Sequence, residues 1–410
     1  MIPRTILPQI EESIRLKPVT LITGARQTGK TTLCLDISQR HGIPYVTLAD
    51  RAEREMAKKD PDMFLSVHPA PVIIDEVQHA PALFESIEAA VDRQKELKLP
   101  DKGMFILTGS QTFKLMNGVT QSMAGRVSVI RMSPLSLSEI LGRDEPPFRV
   151  DFAANIRRAM ADPLAPMDVY RMIVRGGYPE LYESPELRTS KFYSDYVDTY
   201  IDRDVSELIN VRDKDRFHRF IGYMASITGQ ELVYEHVASA IGVDLKTVQS
   251  WTSVLIAGGI VRLLDPYVPR SNTKSLTRRP KIYFRDTGLA CYLARVFDPE
   301  TLMAGYLNGP MVETFIVNEI LKTYDDNCEE AAFYYYRDSK QHEVDLVMIR
   351  DGTLTLIECK SGMTYGASDV KAFEWLEKSD FAMGPSCIMC LTERAYPIKE
   401  GVYALPVSSI

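Results

Sequence analysis

The sequence lacks any run of about 18 consecutive apolar residues, the length that a membrane-spanning helix needs. Its first residues, MIPRTILPQIEESIRLK, also lack the long apolar core of a secretory signal. We therefore expect a cytoplasmic protein that has no membrane partner.

Paired cysteines are also missing. The six cysteines are scattered and lie mostly in apolar runs, which is typical of reduced, buried thiols in a cytosolic protein. Cys387 and Cys390 have C-x-x-C spacing, but no second ligand pair and no nearby histidine accompanies them. We therefore interpret them as core residues rather than as a metal or redox site.

An excess of positive charge is absent as well, since the net charge is −7 at pH 7. This excludes a protein that coats nucleic acid along its whole length, but it leaves room for a local basic patch. The 45% hydrophobic and 25% charged residues are typical of a globular chain, and the 410 residues suggest two or three domains.

The first strong pattern lies near the start of the chain. An apolar, β-branched run, VTLITG (19–24), is followed by the loop ARQTGK and by TTLCLDISQRH, whose apolar spacing is helical. Gly24-x-x-x-x-Gly29-Lys30-Thr31 is the spacing of a phosphate-binding loop, in which Lys30 reaches the β- and γ-phosphates and Thr31 ligates Mg²⁺. We expect the following residues to bind Mg·ATP: Gly24, Ala25, Arg26, Gln27, Thr28, Gly29, Lys30, Thr31 and Thr32.

Acidic residues follow the next buried strand. The run Val72-Ile73-Ile74 ends in Asp75 and Glu76, so parallel strands would deliver both carboxylates to one sheet edge. Asp75 is expected to hold Mg²⁺ through a water, and Glu76 to orient the attacking water.

Two further segments complete this predicted site. MFILTGS (104–110) places Thr108 and Ser110 near the γ-phosphate. Arg126 precedes the strand VSVIRM, where it is either an arginine finger acting on the nucleotide of a neighbouring subunit or a surface salt-bridging residue. Lys30, Glu76 and Arg126 are thus the candidate catalytic residues for ATP hydrolysis, and we expect the protein to be a homo-oligomer.

GARQTGKTT, VIIDEVQ, ILTGSQ and MAGRVSVIRMSPLSLSE resemble the bacterial and archaeal AAA-type ATPases whose C-terminal half is classed as a domain of unknown function. RGGYPELY (175–182) and YIDRDV (200–205) resemble the middle of the same family, so the likeness covers essentially the whole chain. It implies an α/β fold: an αβα P-loop core with five parallel strands, then helices, a winged helix and a restriction-endonuclease-like domain.

The segment after the predicted core, residues 136–222, is rich in helix formers and punctuated by proline, which predicts a helical lid over the nucleotide. Arg175 and Arg203 are candidates to reach the γ-phosphate. Structural roles are the alternative for both.

From Glu231 the pattern predicts a helix, a turn at Gly242, a second helix with Asp244 as its N-cap, and a strand. This is a helix-turn-helix with a wing. In a DNA complex, the outward residues of the second helix would face the major groove: Lys246, Gln249, Ser250 and Ser253.

The stretch from Arg262 to Asp286 carries seven basic residues and two acids. Basic side chains on a wing contact phosphates, which makes DNA the expected partner. A winged helix that acts as a spacer or docks protein is the alternative. The candidate phosphate contacts are Arg270, Lys274, Arg278, Arg279 and Lys281.

A hairpin near the C-terminus has an informative register. Asp351-Gly352 predicts a two-residue turn between VDLVMI and TLTLIE, so the numbers of paired residues sum to 703. Asp345 then lies opposite Glu358, and Glu343 and Lys360 form the next pair on the same face. Two facing carboxylates need a positive charge between them, which a second divalent metal would supply.

Asp345, Glu358 and Lys360 also match the D…E-x-K signature of restriction-endonuclease-like folds, in which the acids hold Mg²⁺ and the lysine positions water. Glu313, on the preceding helix, is a third candidate ligand, with Glu319 a weaker one. The alternative is a degenerate nuclease fold in which these groups form salt bridges, such as Glu343 with Lys360.

We therefore predict four units: a P-loop ATPase core (1–135), a helical lid (136–222), a winged helix (223–290) and a restriction-endonuclease-like domain (291–410). The predicted function is a Mg·ATP hydrolase that binds DNA and is a candidate metal-dependent nuclease. The alternative is an ATP-dependent switch or scaffold that binds protein, and a transcription regulator is a weaker third reading because it leaves the carboxylates unexplained.

Overall fold

The computed structural model describes residues 1–109, 123–200, 214–269, 278–377 and 379–410. Its N-terminal part is a five-stranded parallel sheet with the order β2-β3-β4-β1-β5. The strands are β1 (Val19–Thr23), β2 (Tyr45–Thr47), β3 (Val72–Asp75), β4 (Phe105–Gly109) and β5 (Val127–Arg131).

Helices cover both faces of this sheet, and so the strand residues form continuous apolar runs rather than alternating ones. All five residues of β1 are buried. The helices are α1 (Leu7–Leu16), α2 (Lys30–His41), α3 (Arg51–Lys59), α4 (Pro61–Val67) and α5 (Leu83–Glu96).

Short helices follow the core. The first begins with a capping box, in which Ser136 and Glu139 each bond the other's backbone N–H. These helices are α6 (Leu137–Leu141), α7 (Phe152–Ala161), α8 (Pro166–Arg175), α9 (Pro179–Glu183) and α10 (Thr189–Tyr196).

A winged helix comes next, as predicted. Its helices are α11 (Lys214–Ser226), α12 (Tyr234–Ile241) and α13 (Leu245–Ala257), and its sheet has the order β6-β8-β7, with β6 (Gln230–Glu231), β7 (Val261–Leu264) and β8 (Lys281–Phe284). Asp244 caps α13, because its carboxylate accepts a hydrogen bond from Thr247 N at 2.9 Å.

Three helices lead into a seven-stranded mixed sheet: α14 (Thr287–Leu293), α15 (Pro299–Ala304) and the long, largely buried α16 (Asn308–Asp325). The main path of the sheet is β14-β15-β13-β11-β10-β9, and β12 pairs with β11. Its strands are β9 (Ala332–Arg337), β10 (Glu343–Arg350), β11 (Thr353–Lys360), β12 (Ala382–Met383), β13 (Ser386–Cys390), β14 (Tyr396–Lys399) and β15 (Val402–Pro406).

The hairpin register is the predicted one along the recorded pairs. Arg350 pairs with Thr353 and Leu346 with Ile357, and both pairs sum to 703. On its other side, β10 shifts register against β9 between Val344 and Val347. The strand is therefore irregular next to Asp345.

The lid helices, the winged helix and the C-terminal sheet share one apolar cluster, which runs from Leu137 to Ile410. The predicted boundary at residue 290 falls inside α14, and the packing gives no break there. Cys387 and Cys390 are free thiols buried on β13. None of the helices in the described ranges combines the length and the apolar character needed to cross a bilayer.

The RGG segment of the lid is held against α14 by Asp286. Its carboxylate accepts from Gly177 N at 2.7 Å and from Tyr193 Oη at 2.6 Å. Gly288 lies against the same point, where an added Cβ would overlap Tyr193 Oη and approach Arg175 O to 2.8 Å. The lid and α14 therefore meet through backbone contact.

Replacing Gly288 by alanine is expected to lower the free energy of unfolding by about 1–3 kcal/mol, because the methyl group has no space. Urea unfolding followed by circular dichroism measures it. The matched control is Gly222→Ala inside α11, where the nearest atom to an added Cβ is 3.6 Å away. That change should stabilise the helix by about 0.5–1 kcal/mol. Equal effects at the two positions would contradict this packing.

Candidate functional site

The P-loop lies between β1 and α2, at the edge where the parallel strands end. Gly24 has φ +152°, and a Cβ there would overlap the carbonyl oxygen of Met132. Gly29 has φ +92° and caps the first turn of α2. The backbone thus curls onto a helix N-terminus, whose free N–H groups and positive dipole end suit a phosphate.

The Lys30 side chain is folded back onto the loop. Its Nζ donates to Gly24 O at 3.0 Å and to Ala25 O at 2.6 Å. Burial lowers the pKa of Lys30 to about 8, although Glu76 and Asp75 act in the opposite direction. The two nearby acids therefore offset only part of the cost of burying the Lys30 ammonium group.

Asp75 is buried at the end of β3 and collects hydroxyl groups. Its Oδ2 accepts from Thr31 Oγ1 at 3.2 Å and from Tyr45 Oη at 2.7 Å. Thr108 Oγ1 donates to Oδ1. Tyr45 had no signal in the sequence, because only the parallel pairing of β2 with β3 brings it beside the acid.

Glu76 takes φ +58°, so the chain turns sharply directly after β3. Its N–H donates to Thr108 Oγ1 at 3.2 Å, and its carboxylate accepts from the Gln78 side chain. Thr108 thus touches both acids of the site. Ser110, the other predicted γ-phosphate residue, lies outside the described residues.

A cavity of about 440 Å³ opens over the P-loop, and its opposite wall comes from the helices after the core. This agrees with the predicted lid. The lid residues that line it are Pro179, Glu180, Glu183, Tyr196, Thr199 and Tyr200. Sequence reasoning missed all six, although tyrosines spaced three and then four residues apart in YSDYVDTY were a usable sign of one helix face.

Of the two arginines suggested for the γ-phosphate, the structure describes Arg175. Arg175 is not among the cavity-lining residues; it donates to Leu181 O, and its guanidinium lies 5.2 Å from the centroid of the Tyr182 ring. Its structural alternative therefore fits the geometry. Arg203 lies outside the described residues.

The winged helix also reaches the P-loop. Tyr200 Oη donates to Gly258 O at 3.3 Å, and the Arg26 guanidinium lies 5.5 Å from the centroid of the Tyr200 ring. An added Cβ on Gly259 would be 3.6 Å from Ala25 N. The C-terminal end of α13 is therefore a close neighbour of the phosphate-binding loop.

Arg126 forms a bidentate contact with Asp92, at 2.8 Å from Nε and 2.7 Å from Nη2, and a third contact with Glu88 at 3.0 Å. Both acids lie on α5 of the same chain. This geometry fits the alternative in which Arg126 is a surface salt-bridging residue. Its action on the nucleotide of a neighbouring subunit stays a prediction, since Arg126 would have to leave Asp92 and Glu88 to bind a phosphate.

The predicted DNA-facing residues of α13 are exposed, whereas Val248, Trp251 and Leu255 on its other face are buried. Arg278 and Arg279 are exposed on the wing, and Arg270 and Lys274 lie outside the described residues. The prediction for Lys281 is wrong, because its side chain is only 2% exposed. The exposed polar residues of α13 are Lys246, Gln249, Ser250 and Ser253.

Lys281 instead neutralises the C-terminal carboxylates. Its Nζ lies 2.7 Å from Glu313, 2.6 Å from Glu343 and 3.3 Å from Asp345. Burial alone would lower the pKa of Lys281, but the facing acids raise it well above its ordinary value. A lysine of the winged helix therefore supplies positive charge to Asp345, Glu313 and Glu343, whereas the recorded cation beside Glu358 is Lys360.

Glu313 also accepts from Tyr283 Oη at 2.6 Å, and burial, followed by the neighbouring Asp345, raises its pKa to about 7. Among the described residues, Glu313, Asp345 and Glu358 do not form a group whose ligand atoms all lie within 4.8 Å. Glu313 is therefore better described as a partner of Lys281 than as a third metal ligand. Glu319, the weaker candidate, pairs with Lys322 at 2.7 Å.

The hairpin acids have different environments. Asp345 Oδ2 accepts from Cys359 N at 2.9 Å. Lys360 donates to Glu358 Oε1 at 2.6 Å, so the suggested Glu343–Lys360 pair is wrong. Glu358 Oε2 is buried with no hydrogen-bond partner among the described residues, and burial together with Asp345 raises the pKa of Glu358 well above its ordinary value. That single oxygen and Asp345 fit a cation.

Three family models match the chain in series. An AAA domain covers residues 16–141, a domain of unknown function (DUF8612) covers 167–300, and another (DUF4143) covers 308–410.

Two curated relatives are uncharacterized proteins of Mycobacterium bovis and Mycobacterium tuberculosis. Each is 26% identical over 409 residues, which is 99% of this chain and 84% of the relative. Among solved structures, the chain is similar to a Walker-type ATPase of Pyrococcus abyssi at 15% identity and a TM-score of 0.44, over 72% of this chain and 96% of the other.

Replacing Lys281 by methionine is expected to lower the free energy of unfolding by about 3–5 kcal/mol, because three carboxylates lose their shared buried cation. Chemical unfolding at pH 7 measures this loss. Lys371→Met is the control: that lysine is exposed, so its loss should change the free energy of unfolding by about 0.5 kcal/mol or less. A Lys281 variant as stable as the control would contradict the assignment.

Proposed function

The chain carries an AAA domain of the P-loop ATPase type, and we propose that this domain hydrolyses Mg·ATP in the cavity between the P-loop and the lid. One observation carries the proposal: Lys30, Thr31 and Glu76 line a single cavity, with Asp75 hydrogen-bonded to Thr31. The residues fit the cation, because Mg²⁺ prefers hard oxygen ligands and the hydroxyl groups around Asp75 keep its carboxylate in place.

Each protein group has a distinct task in this proposal. The Lys30 amine moves from the loop carbonyls to the phosphate oxygens, which bind it more strongly because they are charged. Thr31 and Asp75 would hold Mg²⁺, which neutralises charge on the phosphates. Glu76, beside Thr108 at the sheet edge, orients the attacking water.

The nucleotide cycle is proposed to act on the winged helix. Arg26 of the P-loop lies over Tyr200, and Tyr200 bonds Gly258 at the end of α13. A shift of the loop around phosphate therefore changes contacts that fix one end of the helix predicted to face DNA. We infer that ATP and DNA binding are coupled through this path, which requires reciprocal effects on the two affinities.

DNA binding itself is supported by the exposed polar face of α13 and by the exposed Arg278 and Arg279 of the wing. A winged helix places this face in the major groove and its wing against phosphates. Docking of a protein on the same face is the competing outcome.

Metal-dependent cleavage of DNA is a second candidate function. Glu358 Oε2 has no hydrogen-bond partner in the part of the chain that the structure describes, and with Asp345 beside it this favours a divalent cation that would activate water for phosphodiester hydrolysis. Against it, Lys281 already compensates Asp345 and Glu313, as expected of a domain that has kept its acids for stability.

Glu76→Gln is expected to reduce the rate of ATP hydrolysis at least about 100-fold, because the amide cannot accept the proton of the attacking water. Binding of a fluorescent ATP analogue should change little. Phosphate release under saturating Mg·ATP measures the first quantity and a titration measures the second.

Glu180→Gln serves as the control for Glu76→Gln, since this lid carboxylate lines the same cavity. Its hydrolysis rate should stay close to that of the unaltered protein. A Glu76→Gln protein that hydrolyses ATP at the wild-type rate would show that Glu76 is not the base. If the same variant instead binds nucleotide weakly, Glu76 positions the nucleotide.

Arg278→Gln should weaken binding to duplex DNA and lower the slope of log K against log salt by about 0.9, as expected for one lost phosphate contact. Lys246→Gln, on the major-groove face, should also weaken binding. Fluorescence anisotropy across a salt series measures this. Lys58→Gln, an exposed lysine on α3, is the control and should leave the slope unchanged. DNA binding that is absent at low salt would favour a protein-docking role.

The same DNA incubated with Mg²⁺ tests cleavage. A nuclease that works through Glu358 cleaves DNA in the unaltered protein, loses cleavage in Glu358→Gln and keeps its DNA affinity. Binding without cleavage would support the role of Lys281 as a permanent structural cation.

A further inference from the structure

A second group of carboxylates, made of residues that neither site described above uses, lies at the junction of the AAA domain with the C-terminal domain. Glu139, Glu145 and Asp326 each place an oxygen within 4.8 Å of the others. Their exposures are 5%, 6% and 0%, so water contributes little to their solvation. Three buried acids at such distances repel one another strongly unless a positive charge lies among them.

Glu139 is the best satisfied member. Its Oε1 lies 2.9 Å from Arg4 Nε and accepts from Thr5 N at 2.8 Å, and its Oε2 accepts from Ser136 N at 3.1 Å. Arg4 is the single cation in contact with the group among the described residues. Arg143 and Arg158 act on Glu145 at longer range, and their recorded partners are Asp162, Ser138 and Ile410.

Asp326 is the least satisfied. It is completely buried, and neither of its carboxylate oxygens has a hydrogen-bond partner among the described residues. It follows the last residue of α16, where the free carbonyl groups and the dipole of that helix add further negative potential. Glu145 Oε2 likewise has no hydrogen-bond partner among the described residues.

The charge count decides what fits. Among the groups in direct contact, three carboxylates and one guanidinium leave a deficit of two positive charges around the free oxygens, while Arg143 and Arg158 act on Glu145 from a greater distance. We propose that Glu139, Glu145 and Asp326 bind one divalent cation of the hard, oxygen-preferring class, such as Mg²⁺, Ca²⁺ or Mn²⁺. All three ligands are carboxylate oxygens, with no sulfur or imidazole donor, which selects this class over zinc or copper.

The position of the site gives the ion a structural role. Glu139 belongs to the first helix after the ATPase sheet, whereas Asp326 ends α16 of the C-terminal domain. Arg4 also donates to Thr28 O of the P-loop at 2.7 Å and to Ser133 O at 2.7 Å. A bound cation would therefore clamp the C-terminal domain onto residues one side chain away from the phosphate-binding loop.

Protonation is the competing way to remove the repulsion. Without a cation, burial and the neighbouring acids raise the pKa of Asp326 well above its ordinary value and that of Glu145 to about 7. Near neutral pH the group therefore holds either protons or a metal, and substitution at Asp326 separates the two.

The test uses the full-length chain, purified without nucleotide and passed through a desalting column in metal-free buffer. Elemental analysis is expected to find about one tightly held Mg²⁺, Ca²⁺ or Mn²⁺ per chain. A chelator should remove it and lower Tm by roughly 3–5 °C, as expected for loss of a ligand specific to the folded state. Asp326→Asn and Glu145→Gln should lose both the ion and the chelator effect.

Two controls make the result specific. Asp75→Asn alters the predicted Mg²⁺ residue of the nucleotide site and should retain the ion, while Glu300→Gln removes an exposed acid and should behave as wild type. The proposal would be overturned if the purified protein contained no metal and its Tm did not change when the chelator was added. So would an Asp326→Asn protein more stable than wild type, because that sign shows an uncompensated or protonated carboxyl rather than a ligand.

Discussion

The Arg4 guanidinium joins the parts of this protein that must stay in register. It binds a P-loop carbonyl at Thr28, the exit of the last core strand at Ser133 and the capping carboxylate of Glu139. Each group is buried and would be costly to leave without a partner. The N-terminal segment, the nucleotide loop and the first lid helix are therefore fixed together by one side chain, and Glu139 extends this network towards Asp326.

The sequence was sufficient where chemistry follows from neighbours along the chain. The P-loop, the acids after Val72-Ile73-Ile74, the cap at Asp244 and the hairpin register all depend on short spacings, and the structure has each of them in place. Contacts between residues far apart in the chain could not be predicted from such spacings. Tyr45 reaches Asp75 through strand pairing, and Lys281 reaches Glu313 through packing of the winged helix on α16, so no local pattern marks either.

Lys281 shows why a correct register led to an incomplete site. Facing carboxylates do require a positive charge, but a lysine side chain can supply it as well as a metal ion. Lys281, assigned to the DNA surface by composition alone, meets this requirement for Asp345 from another unit of the chain. Glu358 differs, since Lys360 satisfies one oxygen and Oε2 has no partner among the described residues. A metal ion is therefore favoured more by Glu358 than by Asp345, whose charge Lys281 already offsets.

The units of the chain are joined by two kinds of contact, apolar and polar. One apolar cluster already joins the lid, winged helix and C-terminal sheet, so these units resist moving independently. The ATPase sheet, by contrast, has its own apolar clusters and meets the rest largely through polar contacts such as Arg4 with Glu139 and Arg285 with Ser133. Polar contacts can exchange partners with little change in buried area, whereas close-packed apolar surfaces cannot. Motion driven by nucleotide should therefore occur at this polar boundary, with the remaining units moving as one body.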